Sequence, residues 1–326
     1  MINSILTKRN HVQGVFWDIV FEWENIICDK LQINLEDDSC FANRYLNNLA
    51  RILPSLKTSR KSLSFVMAPF HDPATGNRRI LPCIIDFYLR DKKELSKFYR
   101  RFSRNKCVLI SSKEAYDFLK QISCPLNIRH WAISVPDSIL QSSPVDEKKP
   151  PKQYDVILMG RQNPVLRQYF DAYIADHPDV RYLTRYSPKE QCFFYRSSDG
   201  NEVYPCNTYK EYISLMMLSR IGLYSTPSMD GSNKNSAGFN QVTPRFLEFA
   251  ACGCHIIARY PKNPDTEYFE MDNLCTKIDS YDDFEKAMNS ALKNEVDMNL
   301  RMEYLKKHMT STRAKELAAI ADEEGF

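Results

Sequence analysis

The sequence predicts an α/β protein of two domains. Three observations carry that expectation. The chain has 326 residues, room for two domains of ordinary size. Its first half alternates short apolar runs with amphipathic stretches, the order a parallel sheet requires. A proline-rich, charged stretch at 142–153 then reads as a linker, and the second half restarts with an apolar run ending at Gly160.

Composition narrows the function classes. A formal charge of +3 is too small to argue for nucleic acid. Ten cysteines are scattered without C-x-x-C spacing, which suggests reduced thiols rather than disulfides or zinc. No apolar run is long enough to span a membrane, and polar residues from Thr7 onward interrupt any signal-peptide core. None of the nine glycines forms G-x-G-x-x-G or a Walker loop. No D-x-D triplet occurs and the histidines are dispersed, so no metal or cofactor is expected.

In the first half, 14–19 is apolar and 21–31 reads as helical. Asp18, Glu22 and Glu24 lie between Trp17 and Trp23, either as acids with aromatic platforms for a sugar or as a helix with two core tryptophans. A helix at 41–53 is stopped by Pro54. A strand at 64–68 runs into a polar loop, 69–77. Ligands of open α/β sheets bind at the carboxyl ends of strands, so His71 and Asp72 are the acid/base candidates. Asp-Pro and Gly-Asn in the same loop are also ordinary turn chemistry. A strand at 80–89 precedes an amphipathic helix at 91–104, with Leu95, Phe98, Tyr99 and Phe102 on its core face. Lys92, Lys93, Lys97, Arg100, Arg101 and Arg104 cover the remainder, with Lys106 just beyond. That face suits anionic lipid or a pyrophosphate-linked acceptor, or plain solvent. A strand at 108–111, a helix at 113–121 and a strand at 128–134 complete the half.

In the second half, the strand from Tyr154 delivers Gly160 and Arg161 to its carboxyl end, and a helix follows at 165–175. The stretch 181–194 has no readable period. A helix at 209–219, with Tyr212, Leu215 and Met216 at core spacing, leads to a strand at 221–225. A long polar loop, 226–242, contains Asp230 and Asn240; loops of this length are usually functional or disordered. It opens into the most informative stretch, 243–257. There the Thr243 hydroxyl can cap a helix, Pro244 suits its first position, and Gly253 ends it. A buried strand follows from Cys254. Arg245 and Glu248 sit three apart near the helix N-terminus, on neighbouring turns of one side. A helix N-terminus with an arginine is an anion site, and the carboxylate one turn further can accept from sugar hydroxyls. Helices at 281–293, 299–307 and 314–322 close the chain.

Arg245, Phe246, Glu248, Ala251, Cys252 and Gly253 resemble the nucleotide-sugar site of GT-B glycosyltransferases. The resemblance implies two Rossmann-like domains facing across a cleft. An acceptor-side domain would span 1–145 and a donor domain 153–308, with a C-terminal helix, 309–326, returning to the first. It also implies that Gly160, Arg161, Thr243 and Arg245 hold the donor pyrophosphate and that Glu248 positions the ribose. Two departures stand out. Arg167 is the nearest basic residue where these families often place a lysine. Asn240 stands where many retaining relatives have a glutamate, and Asp230 is a replacement acid elsewhere in that loop. The chain looks most like bacterial enzymes of surface-polysaccharide (capsule or O-antigen) assembly. That likeness implies sugar transfer from a nucleoside diphosphate to a saccharide or lipid-linked acceptor. The expected place is the cytoplasm, with a peripheral contact to the inner membrane face through 91–106. A GT-B-fold sugar-nucleotide epimerase and a non-catalytic nucleotide-sugar-binding protein are the alternatives.

Overall fold

The structure, a computed structural model, describes residues 2–53, 61–70, 75–141, 151–187 and 193–326. His71 and Asp72, and 142–150 of the proline-rich stretch, lie outside the described residues. Two compact units are present. One holds the described residues within Met1–Gln13, Ile19–Pro136 and Met309–Phe326, and the other those within Gly14–Asp18 and Asp137–His308.

The first unit runs β1 (Ser4–Thr7), α1 (Val15–Leu31, of which the part from Ile19 on belongs to this unit), β2 (Asn34–Asp37), α2 (Phe41–Ile52), β3 (Ser62–Val66), β4 (Ile80–Ile84), α3 (Lys92–Phe102), β5 (Val108–Ile110), α4 (Lys113–Gln121), β6 (Ile128–His130). Its six strands are all parallel, in the order β2-β1-β3-β4-β5-β6. Every residue of β3 and β4 is buried, as in a parallel sheet covered on both faces. α3 is capped by Asp91, whose carboxylate accepts from the Lys93 and Glu94 amides. Leu95, Phe98 and Phe102 bury its inner face, and Lys92, Lys93, Lys97, Arg100 and Arg104 stay exposed. Arg101 departs from that row: it is half-buried and donates to the Phe70 carbonyl. Trp23 and Glu24 belong to the core. The Trp23 indole donates to the Ser134 carbonyl at 3.1 Å. Glu24 accepts from the Thr7 hydroxyl at 2.7 Å and Arg9 Nε at 3.2 Å, and burial pushes its pKa up to about 7.

The second unit runs α5 (Asp137–Gln141), β7 (Tyr154–Leu158), α6 (Pro164–Asp176), β8 (Tyr182–Tyr186), β9 (Phe194–Ser197), β10 (Val203–Pro205), α7 (Tyr209–Met217), β11 (Ser219–Ser225), α8 (Pro244–Ala251), β12 (His255–Arg259), α9 (Pro264–Tyr268), β13 (Cys275–Lys277), α10 (Tyr281–Lys293), α11 (Met298–Lys306). The sheet order is β10-β9-β8-β7-β11-β12-β13. Strands β8, β7, β11, β12 and β13 are parallel, while β9 and β10 extend the sheet antiparallel. Within the stretch without a period, the described residues hold the parallel strand β8, and the last residue of that stretch, Phe194, begins β9.

Strand β7 has β8 on one side and β11 on the other, so the chain reverses direction across the sheet between β7 and β11. Such a switch point opens a crevice at the carboxyl edge. Alternation along β11 sets its two faces. Ile221 and Leu223 join Leu166, Phe170, Phe284 and Met288 in one buried cluster, which seats α6 and α10. Gly222 faces α8, where a Cβ would come 2.5 Å from the Phe249 ring. Helix α8 can lie this close to the sheet only because that strand position is glycine.

The last helix, α12 (Thr310–Glu323), belongs to the first unit. The Trp131 indole donates to the Arg313 carbonyl at 2.9 Å, Ser134 meets Thr310 at 3.0 Å, and Arg129 pairs with Glu323 and Glu324.

Candidate functional site

Helix α8 sits at the switch point. Pro244 occupies its first turn, and Gly253 follows its end at φ 67°. The Gly253 amide donates to Ala250 and the Cys254 amide to Phe249, a Schellman ending that satisfies the last carbonyls. The N-terminus differs from expectation. Thr243 stands at the cap position, but its side chain makes no capping bond. The Tyr224 hydroxyl, projecting from β11, accepts the Thr243 amide at 3.0 Å and lies 3.3 Å from its Oγ1. Engaged there, the threonine leaves the first-turn amides of α8 uncapped, the state that suits an anion.

Arg245 joins the two motifs that the sequence holds far apart. Gly160, just beyond β7, adopts φ 66°, a region where an L side chain is strained. A Cβ there would overlap Arg245 Nη2 and lie 3.0 Å from its Cζ. The guanidinium thus lies against the glycine turn, with Nη2 foremost. The Gly160 amide donates to the Tyr195 hydroxyl at 2.8 Å. Arg245 Nε is buried without an acceptor among the described residues. Burial works against the charge on Arg245, but Tyr212, Tyr195 and Glu248 outweigh it and hold its pKa above the ordinary value.

Glu248, one turn deeper, is 3% exposed. Burial pushes its carboxyl up to about 7, against the opposing effects of Tyr209, Arg245 and Tyr212. Tyr212 is close enough to both charged groups to act on each: it helps to keep the charge on Arg245 and draws the Glu248 carboxyl down against its burial. A buried carboxylate is costly unless it is bonded. Here two tyrosines of α7 and one guanidinium face it, and they only partly offset the burial.

The remaining expected site residues fall into two groups. Arg161 is exposed at the carboxyl edge beside Gly160, a cation ready for a ligand. Asp230 and Asn240 hold loops. Asp230, at φ 53°, pairs both oxygens with Arg259, at 2.6 and 2.9 Å, and also accepts from Asn163 at 2.9 Å. Those bonds to Arg259, more than offsetting burial, hold its carboxyl below the ordinary value. Asn240 accepts from Thr226 Oγ1 at 2.8 Å and the Ser228 amide at 3.1 Å. Arg167 pairs with Asp171 on its own helix. Because Asp230 is bonded within a partly buried ion pair, Asp230→Asn should lower stability by about 1–2 kcal/mol, read by urea unfolding. Unfolding at the wild-type midpoint would contradict this assignment.

Sequence reading missed Tyr195, Tyr209 and Tyr212. Tyr209 and Tyr212 share one face of α7, a signal indistinguishable from core spacing. Tyr195 stands just past the stretch without a period, in 195–208, where the sequence reading assigns no element. The sequence also gave no hint that His11, Asp37 and Asp38 gather in the first unit, their ligand atoms within 4.8 Å of one another. Asp37 is already bonded there by Ser39, Asn10 and His11, which draw its pKa down to about 2.

Residues 183–319, less than half of the chain, match the family described as glycosyl transferase-like. No curated protein matches the chain in sequence. Among solved structures it is similar to the GtfA/B complex, at 10% identity and TM-score 0.47, covering 86% of this chain and 59% of that one. The chain thus spans less than two thirds of that relative. It is similar to sucrose-phosphate synthase from Thermosynechococcus elongatus, at 13% identity and TM-score 0.47, covering 86% and 71%. The glycotransferase of kitacinnamycin gives 11% identity and TM-score 0.44, with 99% of each chain covered. Identities this low give no residue-by-residue correspondence.

Proposed function

We propose that the chain is a glycosyltransferase that moves a sugar from a nucleoside diphosphate to a saccharide or lipid-linked acceptor in surface-polysaccharide assembly. One observation carries the reading: Arg245 lies against the Gly160 turn at the switch point, with Glu248 buried one turn behind it. The match of 183–319 to a glycosyl transferase-like family supports sugar transfer.

The chemistry follows from where charge develops. As the sugar–oxygen bond breaks, negative charge grows on the diphosphate. Arg245 and the uncapped α8 N-terminus are positive groups held in place for that charge, with Arg161 exposed beside them, and such preorganised donors are the largest lever on this kind of barrier. Glu248 accepts from the ribose hydroxyls and fixes the nucleoside. Two cationic side chains can do the charge work of a metal, so transfer should persist in excess chelator. Activity lost in chelator and restored by a divalent cation would refute metal independence.

The functional test is incubation of the protein with nucleotide sugars, with and without saccharide and polyprenyl-phosphate-linked acceptors. Transfer that needs the acceptor is expected. An isomerised sugar from donor alone would instead identify an epimerase, and tight binding without turnover a binding protein.

Among the described residues no helix is long and apolar enough to cross a membrane. The exposed cations of α3 fit the proposal of a contact with anionic lipid, where each such charge is worth about 1 kcal/mol near the surface. Reversing Lys93, Lys97 and Arg100 to glutamate should abolish binding to phosphatidylglycerol vesicles and leave nucleotide affinity intact. Unchanged vesicle binding would make α3 a solvated face.

A further inference from the structure

We infer that Tyr195 is a ligand-contacting residue of this site, its phenolic proton serving as a further hydrogen-bond donor to the donor's diphosphate. The inference rests on the functional reading above and adds a residue to it.

A phenol has one proton to give and an oxygen that accepts. The Tyr195 oxygen is committed, since it accepts the Gly160 amide at 2.8 Å. The proton has no acceptor among the described residues, although Tyr195 is only 3% exposed. The accepted bond satisfies the oxygen, and the proton is the donor capacity left over for a ligand. A plain structural role explains the accepted bond and not the idle proton.

The surroundings indicate the missing acceptor. Arg245 lies against the same Gly160, and its Nε also lacks a partner among the described residues. Arg185 is the cross-strand partner of Tyr195 on the β8–β9 pair, so both side chains share one face of the extension. Both guanidiniums act on the phenol oxygen. The neighbourhood of the hydroxyl is therefore positive before any ligand arrives, and an anion resting on Arg245 is the acceptor this proton lacks. Burial, the largest influence, raises the Tyr195 pKa, which keeps the proton on the oxygen at neutral pH.

The antiparallel extension gains a role by this argument. A glycine turn at the end of a parallel strand usually offers its own amide to phosphate. Here β9 places a hydroxyl on that amide, so the Gly160 N–H acts through Tyr195, and a donor that itself accepts a bond is strengthened.

Tyr195→Phe removes only the hydroxyl. Calorimetric titration should show diphosphate affinity falling about tenfold or more, using UDP, GDP, ADP and dTDP as probes. Affinity for the matching nucleoside without phosphates should not change, nor should the melting temperature move by more than a few degrees. A purely structural tyrosine would weaken both ligands together or neither. Wild-type or tighter diphosphate binding by Tyr195→Phe would overturn the inference, since the hydroxyl would then merely occupy the Gly160 amide. If the wild-type protein binds none of the four diphosphates, the functional reading itself fails, and that failure shows before any variant is made.

Discussion

Replacing Arg245 by alanine is expected to lower the rate of sugar transfer by roughly 10²–10³-fold, the loss seen when one preorganised donor is removed from a developing anion. The guanidinium lies against Gly160, beside the uncapped N-terminus of α8, and its Nε has no protein acceptor among the described residues. The loss should appear in kcat as well as in donor affinity, because the charge it meets grows in the transition state. Gly160→Ala should act in the same direction without touching the arginine, since the new methyl group overlaps Nη2 and forces the side chain away. Steady-state kinetics on both variants, with melting curves to confirm folding, check this. A folded Arg245→Ala enzyme within a few-fold of wild type would contradict it.

Glu248→Gln should separate binding from stability. A lost charged hydrogen bond to the ribose is worth roughly 1.5–3 kcal/mol, or about ten- to a hundredfold in donor affinity. Stability should move the other way. The folded-state pKa of Glu248 is raised from 4.5 to about 7, chiefly by burial. Below pH 4.5 both folded and unfolded states hold the proton, and the carboxyl costs nothing. Between 4.5 and about 7 only the folded state keeps it, so stability falls as pH rises through that window, by about 3 kcal/mol in all. Glu24 titrates over the same range, so wild-type unfolding will show the sum. Glutamine at 248 removes one share, and at pH 8 the variant should be at least as stable as wild type. Affinity for a nucleotide sugar should also rise in wild type as pH increases through about 7, and stay flat in the variant. A nucleotide sugar is the right probe, because its diphosphate lacks the phosphomonoester that itself titrates near pH 6. A folded variant with wild-type affinity would leave Glu248 the role of joining α7 to α8 and nothing more.

The parts of this site that were legible in the sequence are those whose cause is local. Pro244, Gly253 and the apolar run after Cys254 fix a helix–strand joint from neighbours alone, and the Gly160 turn ends a strand of five residues. The Thr243 cap was misread because its competitor, Tyr224, comes from a strand nineteen residues earlier and reaches it only in the folded sheet. Tyr212 read as core for a sound reason: it shares a helix with Leu215 and Met216, which are core, and only the tertiary position of α8 puts charges on its hydroxyl. Strand β2 escaped notice because a polar, partly exposed edge of four residues has no apolar alternation. Asp230 looked free in a loop of small polar residues, and its partner Arg259 follows after the whole of α8.

The most direct test of the account is the melting temperature of the wild-type protein against UDP, GDP, ADP, dTDP and the matching nucleosides. A ligand that binds only the folded state stabilises it by RT ln(1 + [L]/Kd), about 2.7 kcal/mol at a hundred times Kd. One or more diphosphates should raise the melting temperature with concentration, the nucleosides should do so far less, and the shift should vanish in Arg245→Ala. No shift with any diphosphate, or an equal shift in Arg245→Ala, would contradict a diphosphate site at the carboxyl edge between β7 and β11.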